Sequence, residues 1–457
     1  MQQDLFGQDV TLERREALDH WNRMMLAFLA HGADTPDHLG RTLGADPGFA
    51  LGHAVKGLFL ALLGRRELID TARDALAAAR SARLGRPVTE REAQFVDALG
   101  AWLDGRPSDA VAHLERVLAA HPSDALAAKL SHALRFVLGD AQGMRRSIEA
   151  VLPSYGPDHP GRGYMLGCHA FALEETGEYA RARDAGRQGL ELSADDAWGL
   201  HAVAHVHDMT GDSRGGLDWL GGREQAWAHC NNFRYHVWWH KALMHLDQGE
   251  IDEVLALYDT VIRADRTDDY RDISNATSLL CRLELEGVDV ANRWEELADV
   301  SERRTDDGCL IFADLHYLLA LIGDGRQAAI RSMLVRMQED ARSGGGEMEA
   351  RMAAPGLAAA AGLEAFGDGD YRTAFLNLST ARRTMQQAGG SHAQRDVFER
   401  LTIDAGIRAG FLDEAEGILS SRTARRNGRE DSFAAARHTL IEDGRRAARN
   451  VGRMPAE

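Results

Sequence analysis

The chain has 457 residues, a net charge of −17, three lysines among its cations and four widely spaced cysteines. That much negative charge repels phosphate backbones and argues against nucleic-acid binding, and the cysteine spacing offers neither a C-x-x-C zinc knuckle nor a disulfide framework. No run approaches the roughly 18 apolar residues of a membrane span, and the N-terminal MQQDLFGQDVTLERRE lacks an apolar signal core, so a soluble cytoplasmic protein with no membrane partner is expected.

Ala, Leu, Arg and Glu dominate and there are only 10 prolines, which favours helix almost throughout. From the N-terminus onward one small element recurs. An apolar helix ends, a glycine turn follows, and a second, amphipathic helix begins. It reads LFLALLGRRELIDTARDAL, then GAWLDGRPSDAVAHLERVL, FALEETGEYARARDAGRQGL, ALMHLDQGEIDEVLALYD, LEAFGDGDYRTAFLNLSTA and DAGIRAGFLDEAEGIL. The turn glycines are Gly64, Gly105, Gly139, Gly177, Gly211, Gly249, Gly287, Gly325, Gly369 and Gly410, spaced 34 to 44 residues apart. A tetratricopeptide unit is a helix–turn–helix of about 34 residues. One pair cannot bury its own apolar stripe, so the pairs must stack. The expected fold is therefore all-α, a right-handed α-solenoid of about ten helix pairs. Ser108-Asp109 after Pro107 and Ser123-Asp124 after Pro122 read as helix starts. The Pro- and Gly-rich Leu152 to Tyr164 is the clearest break. It divides an expected N-terminal block, 1–151, from a main array, 152–421. The Arg-rich remainder, 422–457, reads as a capping helix and tail with a solvated face.

The first helix of each pair is expected to line the concave surface, and the unusual polar residues fall on those helices. The segment from Trp198 to Gly249 carries two His-x-x-x-His pairs, His201/His205 and His236/His240, with Trp198, Trp219, Trp238 and Trp239 around them. Residues i and i+4 share a helix face, and that spacing lets two imidazoles reach one metal ion. The glutamate of a zincin motif is absent, because Ala202 follows His201. If the two pairs face one another, mutual repulsion depresses their pKa values and suits them to ligation or to proton transfer. His207 points elsewhere, and His229 and His245 read as peripheral. Further along come Asp314 and His316, of which at most one faces inward. Then Gly389-Gly390 and the capping Ser391 open a helix whose first turn holds His392, Arg395 and Asp396. Arg395 has the fork geometry for a carboxylate or phosphate, against the plainer reading of a local ion pair. Glu174 and Glu175 end a first helix, as either solvated acids or acid–base groups. No G-x-G-x-x-G, P-loop, G-x-S-x-G or H-E-x-x-H motif is present, and no cofactor is named by any motif.

These residues resemble the tetratricopeptide repeat protein 38 family. The matching pieces are HPGRGYMLGCHAFALEETGEY, DDAWGLHAVAHVHDMTGD, GLDWL, HVWWHKALMHLDQGEIDEVLALYD, SLLCRLELEG, FADLHYLLA and GGSHAQRDVF, in order over roughly Pro160 to Leu401. The resemblance implies a helical-repeat fold and a shared pocket built from Trp198, His201, His205, His236, His240, Asp314, His316, His392, Arg395 and Asp396. It implies no particular reaction.

Three functions follow as expectations. The first is a pocket that binds a small polar or anionic molecule, with His201, His205, His236 and His240 as catalytic acid–base groups and Trp198, Asp314, His316, His392, Arg395 and Asp396 as ligand contacts. The second is a metal-dependent hydrolase or oxygenase that uses the two His-x-x-x-His pairs and Asp314. The third is a protein-interaction scaffold. The concentration of unusual residues in three or four repeats favours a localised site over a scaffold. The long flanks of a solenoid permit a homodimer, though no heptad seam indicates one.

Overall fold

A computed structural model describes residues 1–451. Among the described residues the only strands are Gln2–Gln3 and Asp9–Val10, paired antiparallel, and the rest is an all-α array of stacked helix hairpins. All ten turn glycines have positive φ. They sit in the left-handed region, where a Cβ costs about 1–2 kcal/mol, and each reverses the chain between two antiparallel helices.

The two helices of a pair differ as the repeat logic requires. In Ala197–Met209 every residue except Asp208 is buried. In its preceding outer neighbour, Tyr179–Leu192, only Ala182, Gly186 and Gly189 are. The Pro- and Gly-rich stretch forms a short 3-10 turn, Leu152–Ser154, and a loop. The largest apolar cluster passes it without interruption, from Phe6 to Met244. A second cluster runs from Trp239 to Leu401.

The curl of the array is tight enough to close on itself. Arg304 pairs with Glu67 at 2.7 Å, Gln386 Nε2 donates to Gly139 O at 2.7 Å, and Tyr179 Oη donates to Arg425 O at 2.6 Å. These contacts join residues more than 230 positions apart. The inner helices therefore do not line an open concave groove, as the repeat pattern suggested. Arg162–Glu174, Ala197–Met209 and Ile311–Gly323 are buried on nearly every side, and that part of the groove has become an interior.

The C-terminal helices complete the closure. Phe433, Ala434 and Ile441 of Ser432–Val451 pack on Ile403, Ala415 and Leu419. Of the arginines expected on a solvated face, Arg425, Arg429, Arg446 and Arg449 are exposed, but Arg422, Arg426 and Arg437 point inward. Arg422 holds Asp396 at 2.6 Å and Asp431 at 2.6 Å, and Arg437 holds Asp404 and Glu286, each at 2.9 Å. Burial opposes the charge on Asp396, but Arg422 and Arg400 outweigh it and hold the carboxyl well below the usual range.

Two outcomes test this architecture. Arg422→Leu takes from Asp396 and Asp431 the buried cation they share, leaving them to Arg400, and is expected to lower the unfolding free energy by about 3 kcal/mol, read from urea denaturation. Gly139→Ala is expected to destabilise more than Gly177→Ala. A Cβ at Gly139 would sit 1.9 Å from the Gln386 carbonyl oxygen, whereas one at Gly177 meets nothing within 4 Å. Equal thermal midpoints for the two alanine variants would contradict the closure at Gly139.

Candidate functional site

Two adjacent inner helices, Ala197–Met209 and Phe233–Asp247, bring the histidine pairs together. Helical spacing puts His201 over His205 and His236 over His240, and helix stacking turns the two faces toward each other. His201 Nε2 lies 3.0 Å from His236 Nε2, and His240 Nε2 lies 3.1 Å from the same atom. The rings of His205 and His240 are 4.2 Å apart between centroids. One nitrogen from each of the four imidazoles falls within 4.8 Å of the other three. Aromatic rings wall the cluster. Phe171 stacks on His201 at 5.6 Å, Trp198 tilts over it at 5.0 Å, and Trp239 stacks on His236 at 5.3 Å.

The hydrogen-bond inventory of this cluster does not close by itself. Asn275 Oδ1 is 3.0 Å from His236 Nδ1. A carbonyl oxygen only accepts, so Nδ1 of His236 carries the proton and its Nε2 presents a lone pair. The Nε2 atoms of both His201 and His240 crowd that one lone pair. His201 Nδ1, His240 Nδ1 and both nitrogens of His205 are buried and have no hydrogen-bond partner. Burial and the neighbouring imidazoles hold His201 and His240 well below the ordinary histidine pKa, and burial pushes His236 down to about 3. Uncharged imidazoles with convergent lone pairs are the protonation state that metal ligation needs. A tetrahedral zinc with bonds of about 2.0–2.1 Å would hold its nitrogens about 3.3 Å apart. The observed 3.0 and 3.1 Å spacings are within a few tenths of an ångström of that.

A second set of polar groups borders the first. Glu174 is fully buried at the end of Arg162–Glu174, and its Oε2 lies 3.4 Å from His205 Nδ1. Its Oε1 accepts from His392 Nε2 at 2.6 Å. The backbone N–H of His392, in the first turn of His392–Arg408, donates to Glu175 Oε1 at 2.8 Å. A Ser391/Gln394 capping box fixes that helix start. Burial works against the charge on His392, but Glu174 and Glu175 outweigh it and raise its pKa to about 9. Glu174 moves in the opposite direction, held low against burial by His392 and His205. Beyond His392 and Glu175 lies a cavity of ≈ 490 Å³, bordered by eight arginines. Arg282 is the unusual one. It is buried, its Nη1 and Nη2 donate to Ser278 O at 3.0 Å and Ala393 O at 2.8 Å, and no ion-pair partner accompanies it among the described residues. Burial pushes its pKa down to about 10.

The structure thus gathers His201, His205, His236, His240, Trp198 and His392 into one region. It does not bring Asp314 or His316 there. Asp314 pairs with Arg336 at 2.9 Å, and His316 Nδ1 donates to its own helix at Phe312 O, 2.7 Å away. Asp396 borders the cavity but is committed to Arg422 and Arg400. Arg395 also borders it, and its guanidinium donates to Gly390 O and lies 3.6 Å from Glu175 Oε2. The carboxylate that its fork was expected to take comes from the chain itself. His207, His229 and His245 are peripheral, bonded to Asp212, Ala30 O and Glu250. Trp219 and Trp238 lie outside the ring wall; Trp219 donates to Leu200 O, and Trp238 packs on Trp227. The sequence reading undervalued Glu174 and missed Asn275, Arg282 and His31. Asn275 and Arg282 lie on the next inner helix, Tyr270–Leu285, so the repeat register alone would have placed them. His31 reaches Trp198 and Phe233 from a distant turn, stacking at 5.4 and 4.5 Å, and no local pattern signals it.

No family model matches the chain. Among solved structures the fold is similar to human IFIT1, solved as a dimer with PPP-AAAA, at a TM-score of 0.42 and 14% identity over 95% of this chain and 96% of that one. It is also similar to yeast Tom70, at a TM-score of 0.35 and 11% identity over 96% of this chain and 90% of that one. Both are helical-repeat proteins of the tetratricopeptide type. The likeness concerns the course of the helices and carries no ligand or partner to this chain.

The Glu174–His392 pair predicts a specific pH dependence. The folded pKa of His392 lies near 9, above its ordinary 6.5. Its contribution to stability is therefore complete below pH 6.5 and lost as pH rises through 9. In chelator-treated protein the thermal midpoint is expected to fall across that window, and His392→Gln is expected to remove that part of the fall. An unchanged slope in the variant would show that the pair does not stabilise the closure.

Proposed function

We propose that this solenoid is a metal-dependent protein whose ion is held by His201, His205, His236 and His240, and that it acts on a small polar or anionic molecule admitted to the adjacent cavity. The observation that carries the reading is the convergence of four buried imidazoles, three of them (His201, His236 and His240) held well below the ordinary histidine pKa, whose nitrogens have too few protein partners. A cation resolves that deficit with one atom. An all-imidazole set suits zinc, copper, iron or nickel better than magnesium or calcium. Asn275 would act through His236, fixing the tautomer that leaves Nε2 free.

The cavity supports the ligand class. It gathers eight arginines in a chain of net charge −17. Most of them are paired, but Arg282 is not, and a buried guanidinium without a counter-ion favours an anion beside it. His392 and Glu175 stand between the cavity and the imidazoles, so a molecule in the cavity meets them first. We also place the chain in the tetratricopeptide repeat protein 38 family, on the segments from Pro160 to Leu401 that carry the histidine pairs, FADLHYLLA and GGSHAQRDVF. A second reading rests on the Glu174–His392 contact. Without any ion, that pair is an acid–base couple at the cavity wall.

Elemental analysis of the purified protein tests the first reading. Near-stoichiometric metal is expected in the wild type and its loss in the His201→Ala/His236→Ala double variant, with helicity retained by circular dichroism. Asn275→Ala is expected to weaken metal affinity by about 10–100-fold. A protein that takes up no ion after reconstitution with zinc, iron or manganese would displace the metal reading in favour of the acid–base couple.

A further inference from the structure

We infer that the site is built for two ions, with His205 as the bridge between a sealed four-imidazole position and a second position made by Glu174, Glu175 and His392 at the cavity wall. This inference rests on the four-histidine reading above.

The two candidate ligand sets share one residue. One is His201, His205, His236 and His240, and the other is Glu174, Glu175, His205 and His392, each with its donor atoms within 4.8 Å of one another. Among these histidines only His205 has both ring nitrogens buried and without a hydrogen-bond partner. Such a ring is costly to bury, and its polar neighbour, Glu174, meets it only as a 3.4 Å contact without a hydrogen bond. Nδ1 lies 3.4 Å from Glu174 Oε2, an oxygen that is itself buried and unpartnered. The other nitrogen, Nε2, is left for the imidazole set. A histidine that ligates through one nitrogen needs its second nitrogen hydrogen-bonded to fix the ring. His205 has no such bond. Two ions, one on each nitrogen, would orient it instead.

The second set has a mixed character. Glu174 offers a carboxylate with one unused oxygen. Glu175 Oε1 accepts from the His392 backbone and lies 3.5 Å from His392 Nε2, and its Oε2 lies 3.6 Å from Arg395. His392 Nε2 is 2.6 Å from Glu174 Oε1. In the ion-free state a proton on His392 holds this group together. An ion would take the place of that proton, and bridging would release one more from His205, so uptake of the second ion discharges protons. Carboxylate oxygens and imidazole nitrogens together suit zinc, manganese or iron.

The two positions differ in access. None of the four imidazoles of the first position borders the cavity except through this second set, while Glu175 and His392 are part of the cavity wall. The outer ion would therefore be the one that meets a small oxyanion from the cavity. The inner ion would hold the bridging ring and stay sealed behind Phe171, Trp198 and Trp239.

Cobalt(II) titration of the chelator-treated full chain, followed by equilibrium dialysis and low-temperature EPR, tests the inference. The wild type is expected to bind two equivalents, with the signal of the first ion weakening as the second enters through the shared ring. Glu174→Gln is expected to keep one equivalent with an unweakened signal. Glu175→Gln, on the less buried acid, serves as the second variant if Glu174→Gln does not fold, and should loosen the second equivalent by tenfold or more. One equivalent in the wild type, unchanged in Glu174→Gln and lost in His240→Ala, would overturn the second position while leaving the four-histidine reading intact. One equivalent lost in Glu174→Gln and indifferent to His240→Ala would overturn the bridge and the four-histidine position together.

Discussion

The architecture depends on one closure. An open stack of helix pairs leaves its inner face in water, where polar side chains are solvated at no cost. In this protein the end of Arg162–Glu174 meets the start of His392–Arg408, and the contact of Glu174 and Glu175 with His392 joins residues more than 200 positions apart. Once that contact forms, the part of the inner face behind it is closed off from water. Every polar group on it must find a partner in the protein or in something the protein binds.

That requirement explains the contrast between the two kinds of polar residue inside. Arg422, Arg437 and Arg91 each meet a carboxylate, so their burial is balanced and structural. The four imidazoles meet mainly one another. Neutral imidazoles crowding one lone pair are a poor hydrogen-bond network, and low dielectric makes the deficit larger. The helices supply rigid positions for these rings, because each histidine pair is locked to one helix face and the aromatic wall fixes the space around it. Preorganised donors on helices, rather than on loops, are what a tight ion position needs.

Glu174, Glu175 and His392 form a layer between the cavity and the imidazole cluster. Glu174 touches both sides of it, through His205 inward and His392 outward. The same carboxylate takes part in the contact that closes the superhelix.

Much of this was legible in the chain alone. The glycine spacing gave the helix pairs, since only a left-handed turn residue reverses the chain so tightly. The i, i+4 histidines shared a face because helical geometry is local. Their placement on first helices, one repeat apart, allowed the two pairs to face one another. What local pattern could not reach was the closure. Whether the array stays open or curls shut depends on contacts between distant repeats, such as Glu67 with Arg304 and Glu174 with His392. The same long-range packing decided that Asp314 and Asp396 serve arginines rather than the site, that Asn275 orients His236, and that His31 stacks on Trp198. Periodicity follows from the backbone of each helix, whereas the partner of a buried charge follows from which helices become neighbours, and only the tertiary structure settles that.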